Sequence, residues 1–408
     1  MKKKSKIFSN HEVILFLVTI IVRGIIVFYL LEPNSYLKWL PFQNDRRGLD
    51  LAAGRVVNHP EAWSSYYLFL GGLYALLKPV GLIDYRIQII VGLNVFLGAM
   101  AVIVFYRILK IFVNRKISFI GGIIFSVYYP AIYLNSLIMS ENLFSFTLIS
   151  AVLLLTGKPT SKRLVTAGSL LGISMVIRPL LLAFLPLLGM WMWRQKIKTV
   201  FMPIIVIIIL VSVVNSRIGK TPWRLTSVVE NGGVNFAIAQ CEFKKINYST
   251  ADGDAFWFSP PVFWGTNRPE IKTDIPFSNQ RYYYRMGWEC LKREPARLGY
   301  NLIHIKNVFM STFYPNFVNY VWHRNMFIFW KAIGVGLSIT LLIFPFVKMN
   351  QSQSRVRSLL ILLFLSLILA VFWENPGEER YLAPYFFILL IYGIVVTIQG
   401  LRGTINRL

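Results

Sequence analysis

The stretch "FQNDRRGLD", residues 42–50, sets Asp45 and Asp50 beside Arg46 and Arg47, directly after an apolar run long enough to cross a bilayer. Other charged positions stand out far along the chain. They are Glu141 in "LIMSENLF", Arg178 in "VIRPLL", Arg380 in "ENPGEERYLAPY" and Arg23 near the middle of the first apolar run. Two carboxylates such as Asp45 and Glu141 could divide labour as base and orienting group, or share a divalent cation. The planar guanidinium of Arg178 suits a phosphate clamp. Arg23 is expected to pair with an acid of the loop that follows it, because an intramembrane charge is costly and marks function by default.

Each position also has an ordinary explanation. Leu49, Ala52, Ala53 and Val56 recur at helical spacing behind Asp45, so Asp45 can be a capping carboxylate worth about 1 kcal/mol. Arg46 and Asp50 lie off that apolar stripe and read as solvated. Glu141 opens an apolar run, where a first-turn acid is favoured by the helix dipole. Arg178, with Pro179 behind it, can be a snorkelling arginine at a helix end. Glu378, Glu379, Arg380 and Tyr381 can form an acidic turn with an interfacial aromatic anchor. Spacing alone does not choose, so the decision passes to the elements that position these residues.

Of 408 residues, 55% are hydrophobic, and apolar runs long enough to span a bilayer recur from end to end. The fold class is therefore an all-α polytopic membrane protein, because lipid admits helices or closed barrels and these runs are continuous rather than alternating. About ten spans are expected, near 13–31, 87–109, 117–134, 142–157, 164–177, 179–193, 199–215, 326–347, 357–373 and 382–400. The first run is too long for a signal-peptide core and lacks a small-residue cleavage site, so it reads as a retained span.

Charge then sets the sidedness. Segments 2–6, 107–116, 158–163, 194–198, 348–357 and 402–407 together carry nineteen basic residues and no acid. Of the eighteen acids in the chain, only Glu12 falls at that side. Loops rich in Lys and Arg stay cytoplasmic, so both termini are expected inside, in a bacterial inner or plasma membrane. The net charge of +25 thereby belongs mainly to an anionic lipid face, which argues against nucleic acid as a partner. The apolar segment 66–77 is too short to span, and counting it would reverse every later loop. It reads as an external interfacial or re-entrant helix.

Three regions follow: an N-terminal bundle over 1–215 with a first external loop at 32–86, an aromatic-rich, partly ordered external region over 216–322, and C-terminal helices over 323–408. The late part of the external region reads as an amphipathic helix, a break near Pro295, then more helix. Cys241 and Cys290 both lie in that region, where a disulfide is possible if the compartment is oxidising. The four histidines show no metal-type spacing, and "NYS" at 247–249 is a sequon that short sequences match by chance. Neither a P-loop nor a strand-linked GxGxxG is present.

The order of motifs resembles a known family. An arginine in the first span is followed by "NDRRGLDLAAGRV", "YYLFLGGLYALL", "PAIYLNSLIMSENLF", "GSLLGISMVIRPLLL", "ENGGVNF", "WECLKREPARLGYNLI" and "EERYLAPYFFILL". This is similar to the GT-C superfamily of integral-membrane glycosyltransferases. The likeness is to its polyprenyl-phosphate-sugar-dependent, protein-mannosyltransferase-like and aminoarabinose-transferase-like members, and it runs over nearly the whole chain with loose motifs. The resemblance implies a GT-C-like fold and an inverting transfer, on the external side, from a polyprenyl-phosphate-sugar donor to a lipid, glycan or protein acceptor. It implies Asp45 as general base, Glu141 as the second acid, and Arg178, Arg380 and Arg23 at the donor phosphate. Asn44, Tyr381, Glu378, Glu379, Asn231 and Asn235 would line the donor or acceptor pocket. No cofactor, or a divalent cation on Asp45 and Glu141, would be needed. Two features depart from relatives: Leu49 stands where many carry an aromatic, and the lack of a soluble C-terminal domain disfavours an oligosaccharyltransferase. A lipid or oligosaccharide transporter or flippase would instead show helix-breaking or charged residues in matched halves. A surface-polysaccharide polymerase or ligase is nearer in chemistry and typically relies on external Arg and His.

Overall fold

In the computed structural model the described residues are 9–31, 40–55, 65–195, 197–218, 232–241, 243, 245–250, 253–258, 270–275, 279–296, 298–299, 301–302, 305, 321–343, 346–347, 349–374 and 383–405. All ten apolar segments expected to span are helical. The N-terminal bundle contains α1 (Asn10–Ile25, continued by a π-helical turn Ile26–Leu30), α4 (Arg86–Leu109), α5 (Arg115–Ser126), α6 (Tyr129–Asn135), α7 (Glu141–Thr156), α8 (Ser161–Ile177), α9 (Phe184–Gln195) and α10 (Phe201–Ile218). An amphipathic helix, α2 (Leu40–Ala52), and a short apolar one, α3 (Ser65–Leu77), fall between α1 and α4. In the middle region lie α11 (Gly232–Cys241) and α12 (Gln280–Arg293), and the C-terminal part holds α13 (Val321–Ile343), α14 (Gln351–Glu374) and α15 (Phe386–Ile405).

Three described helical stretches, Asn10–Leu30, Ile83–Leu109 and Gln351–Phe372, are long and apolar enough to cross a membrane, and α5 with α6 forms a broken fourth. Ten separate crossings are thus more than helix length alone supports. The α5–α6 break has a local cause. Pro130 has no N–H to give the carbonyl four residues back, Ser126, and its ring clashes there, so the axis bends by 52°.

The helices antiparallel to one another sort the charged connections into two ends. At one end Glu12, the acid that broke the charge pattern, pairs with Arg107 at 2.9 Å. At that same end Gln353 donates to the carbonyl of Ile111 at 2.9 Å, and the Trp191 indole donates to Ser358 at 3.1 Å. The basic connections 107–116, 194–198 and 348–357 are thereby gathered near the start of α1. Glu141 and Arg178 lie at the helix ends opposite, and Asp45 stands against Arg86 at the corresponding end of α4.

The chain is predominantly helical, as expected, and the middle region adds one small sheet that the sequence reading did not include. Strands β1 (Lys245–Thr250), β2 (Gly253–Phe258) and β3 (Glu270–Thr273) form a sheet of order β2-β1-β3. β1 and β2 are antiparallel, with Thr250 opposite Gly253, while β3 runs parallel to β1, with Lys245 opposite Glu270. Ile246 of the sheet joins Val234, Ala237, Ile238 and Tyr283 in a small core separate from the bundle. Cys241 and Cys290 are disulfide-bonded, tying the end of α11 to α12. α12 ends at Arg293, and a turn at 295–296 precedes further helical residues, as Pro295 dictates.

Candidate functional site

α2 begins at Leu40, five residues before Asp45. Asp45 is therefore in the second turn and not at the helix head, and the capping explanation falls away. Its side of α2 is buried: Asn44, Asp45 and Arg47 are 6%, 3% and 8% exposed. Leu49 and Ala52, on the apolar stripe read from the sequence, pack with Tyr66, Leu70 and Tyr74 of α3. Gly48 makes the approach possible, since a Cβ there would lie 2.7 Å from the Tyr74 ring and 2.8 Å from Leu70 Cβ.

That close packing gives Asp45 its partners. The Tyr74 hydroxyl donates to Oδ1 at 2.6 Å. Arg86, in the first turn of α4, donates from Nε to Oδ1 at 3.0 Å and from Nη2 to Oδ2 at 2.9 Å. A two-pronged guanidinium–carboxylate pair is stronger and more directional than a lysine contact. Burial and the bond to Asp45 raise the Tyr74 pKa well above its ordinary value, so this phenol stays a donor. Beside it, Arg47 donates to the Tyr67 hydroxyl at 2.6 Å. Arg46 is exposed, and Asp50 pairs with Arg55, in keeping with their place off the stripe.

Glu141 is the first residue of α7 and is 1% exposed. Arg178 caps the C-terminus of α8, where Pro179 ends the helix, and its Nη2 pairs with Glu141 Oε1. The Arg178 guanidinium stands 6.0 Å from the Phe144 ring centre, and Phe144 lies 5.8 Å from Tyr385, just past the last external loop.

Two links connect this pair to Asp45. The Asn44 amide donates at 2.7 Å to the carbonyl of Ile138, three residues ahead of Glu141. Tyr66, on the same helix as Tyr74, has its pKa raised by burial and then by the Glu141 charge. The Asp45 cluster on α2, α3 and α4 is thus joined, through Asn44, to the segment that leads into Glu141 of α7.

Arg23 corrects the expectation of an acidic partner. It is 2% exposed, and among the described residues no carboxylate lies within ion-pair distance. It donates to the carbonyls of Ser126 and Phe125 at 3.1 and 2.9 Å and to Asn135 Oδ1 at 3.0 Å. Asn235 sits half-buried on α11, which packs on α12 and α14 rather than on α2 or α7. Asn231, Glu378, Glu379, Arg380 and Tyr381 lie outside the described residues.

Among the described residues no group of three or more His, Cys, Asp or Glu could hold a metal ion. As placed here, Asp45 and Glu141 are each matched to a guanidinium, an arrangement that does not fit a shared cation. Arg86 and Tyr74 were missed in the sequence. Arg86 had a signal: it is a basic residue opening a span at the acid-rich end, against the prevailing charge pattern. Tyr74 had none, because only the α2–α3 packing selects it among the aromatics of its helix.

No known family profile matches the chain, and no curated protein does. Among solved structures the chain is similar to the archaeal oligosaccharyltransferase AglB of Archaeoglobus fulgidus, in complex with an inhibitory peptide and a dolichol-phosphate. The TM-score is 0.49 at 11% identity, over 98% of this chain and 52% of that one. The chain spans about half the length of that protein, and the likeness is too distant to carry a conclusion about fold family or function.

Proposed function

We propose that this chain is a membrane glycosyltransferase of GT-C type, moving a sugar from a polyprenyl-phosphate donor to an acceptor hydroxyl on the external side. The observation that supports it most is the buried Asp45 carboxylate, gripped by Arg86 and Tyr74 and joined through Asn44 to the segment that leads into the Glu141–Arg178 pair. Paired charges buried at one end of an apolar bundle add little stability for their desolvation cost, which makes them functional candidates.

In this reading the sugar is already activated, because phosphate is a good leaving group. The acceptor oxygen attacks the anomeric carbon opposite the phosphate. Its proton passes to Asp45, the bond from the anomeric carbon to the phosphate oxygen breaks, and polyprenyl phosphate leaves with the electron pair. The configuration inverts. Arg178 and Arg380 stabilise charge on the departing phosphate. Arg86 covers both oxygens of Asp45, so the donor phosphate must draw Arg86 off Asp45 before the proton can reach it. The cycle needs no metal, although a cation recruited by the donor phosphate is compatible with it.

The sidedness is supported by the nineteen basic residues of the opposite connections and by the disulfide between α11 and α12, which belongs to an oxidising compartment. The acceptor pocket is assigned to the external region that carries Asn231 and Asn235. The test is purified protein in vesicles supplied with polyprenyl-phosphate hexoses and cell-envelope extract. Release of polyprenyl phosphate in step with glycosylated product is expected; donor that stays intact across the hexoses and extracts would refute the reading.

A further inference from the structure

Arg23 is a deeply buried charged side chain that the proposed transfer leaves without work. Its three protein contacts form a pattern. In an unbroken helix the Ser126 carbonyl would accept from residue 130 and the Phe125 carbonyl from residue 129. Residue 130 is proline and has no N–H, and the chain turns by 52° there. Arg23 Nε occupies the Ser126 acceptor, and Nη2 joins the Tyr128 N–H, at 3.4 Å, on the Phe125 carbonyl. A cation at a helix C-terminus is also favoured by the dipole, which lets this charge sit within the bundle without a carboxylate.

The third prong reaches onward. Asn135, at the end of α6, accepts from Arg23 Nη1 and donates to Asn142 Oδ1 at 2.6 Å and to the Asn94 carbonyl at 3.2 Å. Asn142 donates back to the Leu134 carbonyl at 2.7 Å. Asn94 donates to the carbonyls of Asn135 and Leu137, at 3.3 and 2.9 Å. Every step of this network is side chain to backbone or side chain to side chain, and it ends on the residue after Glu141. A cavity of about 20 Å³, room for one water, lies between Arg23, Asn142, Ser145 and Glu141. Gly98 opposes it from α4, where a Cβ would lie 2.6 Å from Arg23 Nη1 and 3.0 Å from Asn135 Oδ1.

We infer that Arg23 is a positioning residue. It replaces the helical donor lost at Pro130, braces the α5–α6 break and, through Asn135 and Asn142, fixes the backbone that presents Glu141 to Arg178. It does not bind the donor phosphate. The link to catalysis rests on the glycosyl-transfer reading; the bracing role does not.

The experiment uses the full chain in detergent with two variants, Arg23→Gln and Gly98→Ala. The second keeps the arginine and crowds its guanidinium, so it serves if the first fails to fold. Hydrogen exchange, which needs no substrate, is expected to rise about tenfold over residues 127–142, as for a lost charge-assisted bond, with α8 unchanged. Protection that stays at the wild-type level, or that falls evenly over the bundle, overturns the bracing. In the transfer assay kcat is expected to fall with KM for the polyprenyl-phosphate sugar unchanged. A raised KM at constant kcat would make Arg23 a donor ligand, and two unchanged constants would detach it from Glu141. A wild-type protein that transfers nothing counts against the functional reading alone, because the exchange arm still decides the brace.

Discussion

Arg86 holds both oxygens of Asp45, at 3.0 and 2.9 Å, across the junction of a short amphipathic helix and the first turn of a long span. The side chains of the pair are 22% and 5% exposed, so it is neither a solvated surface bridge nor a fully sealed one. That intermediate burial suits a clamp that opens when a phosphate offers the guanidinium a better charge. Arg86→Lys keeps the charge and loses the two-pronged geometry. It is expected to raise KM for the donor more than it lowers kcat; equal constants for the variant and wild type would remove Arg86 from donor handling.

The Tyr74 contact depends on how closely α2 and α3 approach at Gly48. Gly48→Leu inserts a side chain where even a Cβ meets the Tyr74 ring at 2.7 Å. Overpacking of this kind costs about 1–3 kcal/mol and pushes Tyr74 off Asp45. The melting temperature in detergent should fall, and transfer should fall further than Tyr74→Phe alone produces. A variant with unaltered melting and turnover would mean that the α2–α3 contact does not set the site.

Much of this arrangement was legible in the sequence. Glu141 and Arg178 were placed at helix ends by the apolar runs and by Pro179, and their common side followed from the basic connections. Their direct pairing was not legible, because it depends on how α7 and α8 pack. Arg23 is visible as an anomaly, but its partner is not: the structure offers, in place of an acid, the Ser126 carbonyl that Pro130 leaves open, with the Phe125 carbonyl and Asn135 Oδ1 beside it. The sheet was missed because β3 pairs in parallel with β1 across intervening chain, and such non-local pairing leaves no short-range pattern in "EIKT". The helix start at Leu40 was missed because apolar and polar residues ahead of Asp45 carry no capping signal.

The Glu141–Arg178 pair is 1% and 11% exposed, deep enough that removing one partner strands a charge. Arg178→Met is expected to cost about 3–5 kcal/mol, measured as a lower denaturation midpoint. Combining it with Glu141→Gln should recover part of that loss, because the stranded carboxylate is gone. Strict additivity of the two single effects would show that the residues do not act as a pair.

The disulfide closes a loop between positions 49 apart in the sequence. Loop-closure entropy values such a cross-link at roughly 4 kcal/mol for the unit it ties. Cys241→Ser with Cys290→Ser should therefore expose 232–293 to protease while the bundle stays intact. Alkylation of non-reduced protein by a maleimide should be nil in the wild type; ready labelling of both cysteines would show them reduced in the cell.

The central claim rests on Asp45 as the group that takes the acceptor proton, and Asp45→Asn tests it with least change of shape. Transfer from polyprenyl-phosphate sugar by this variant in vesicles is expected to fall by about 10²–10⁴-fold, with the protein folded and the donor still bound. Turnover close to that of the wild type would contradict the account.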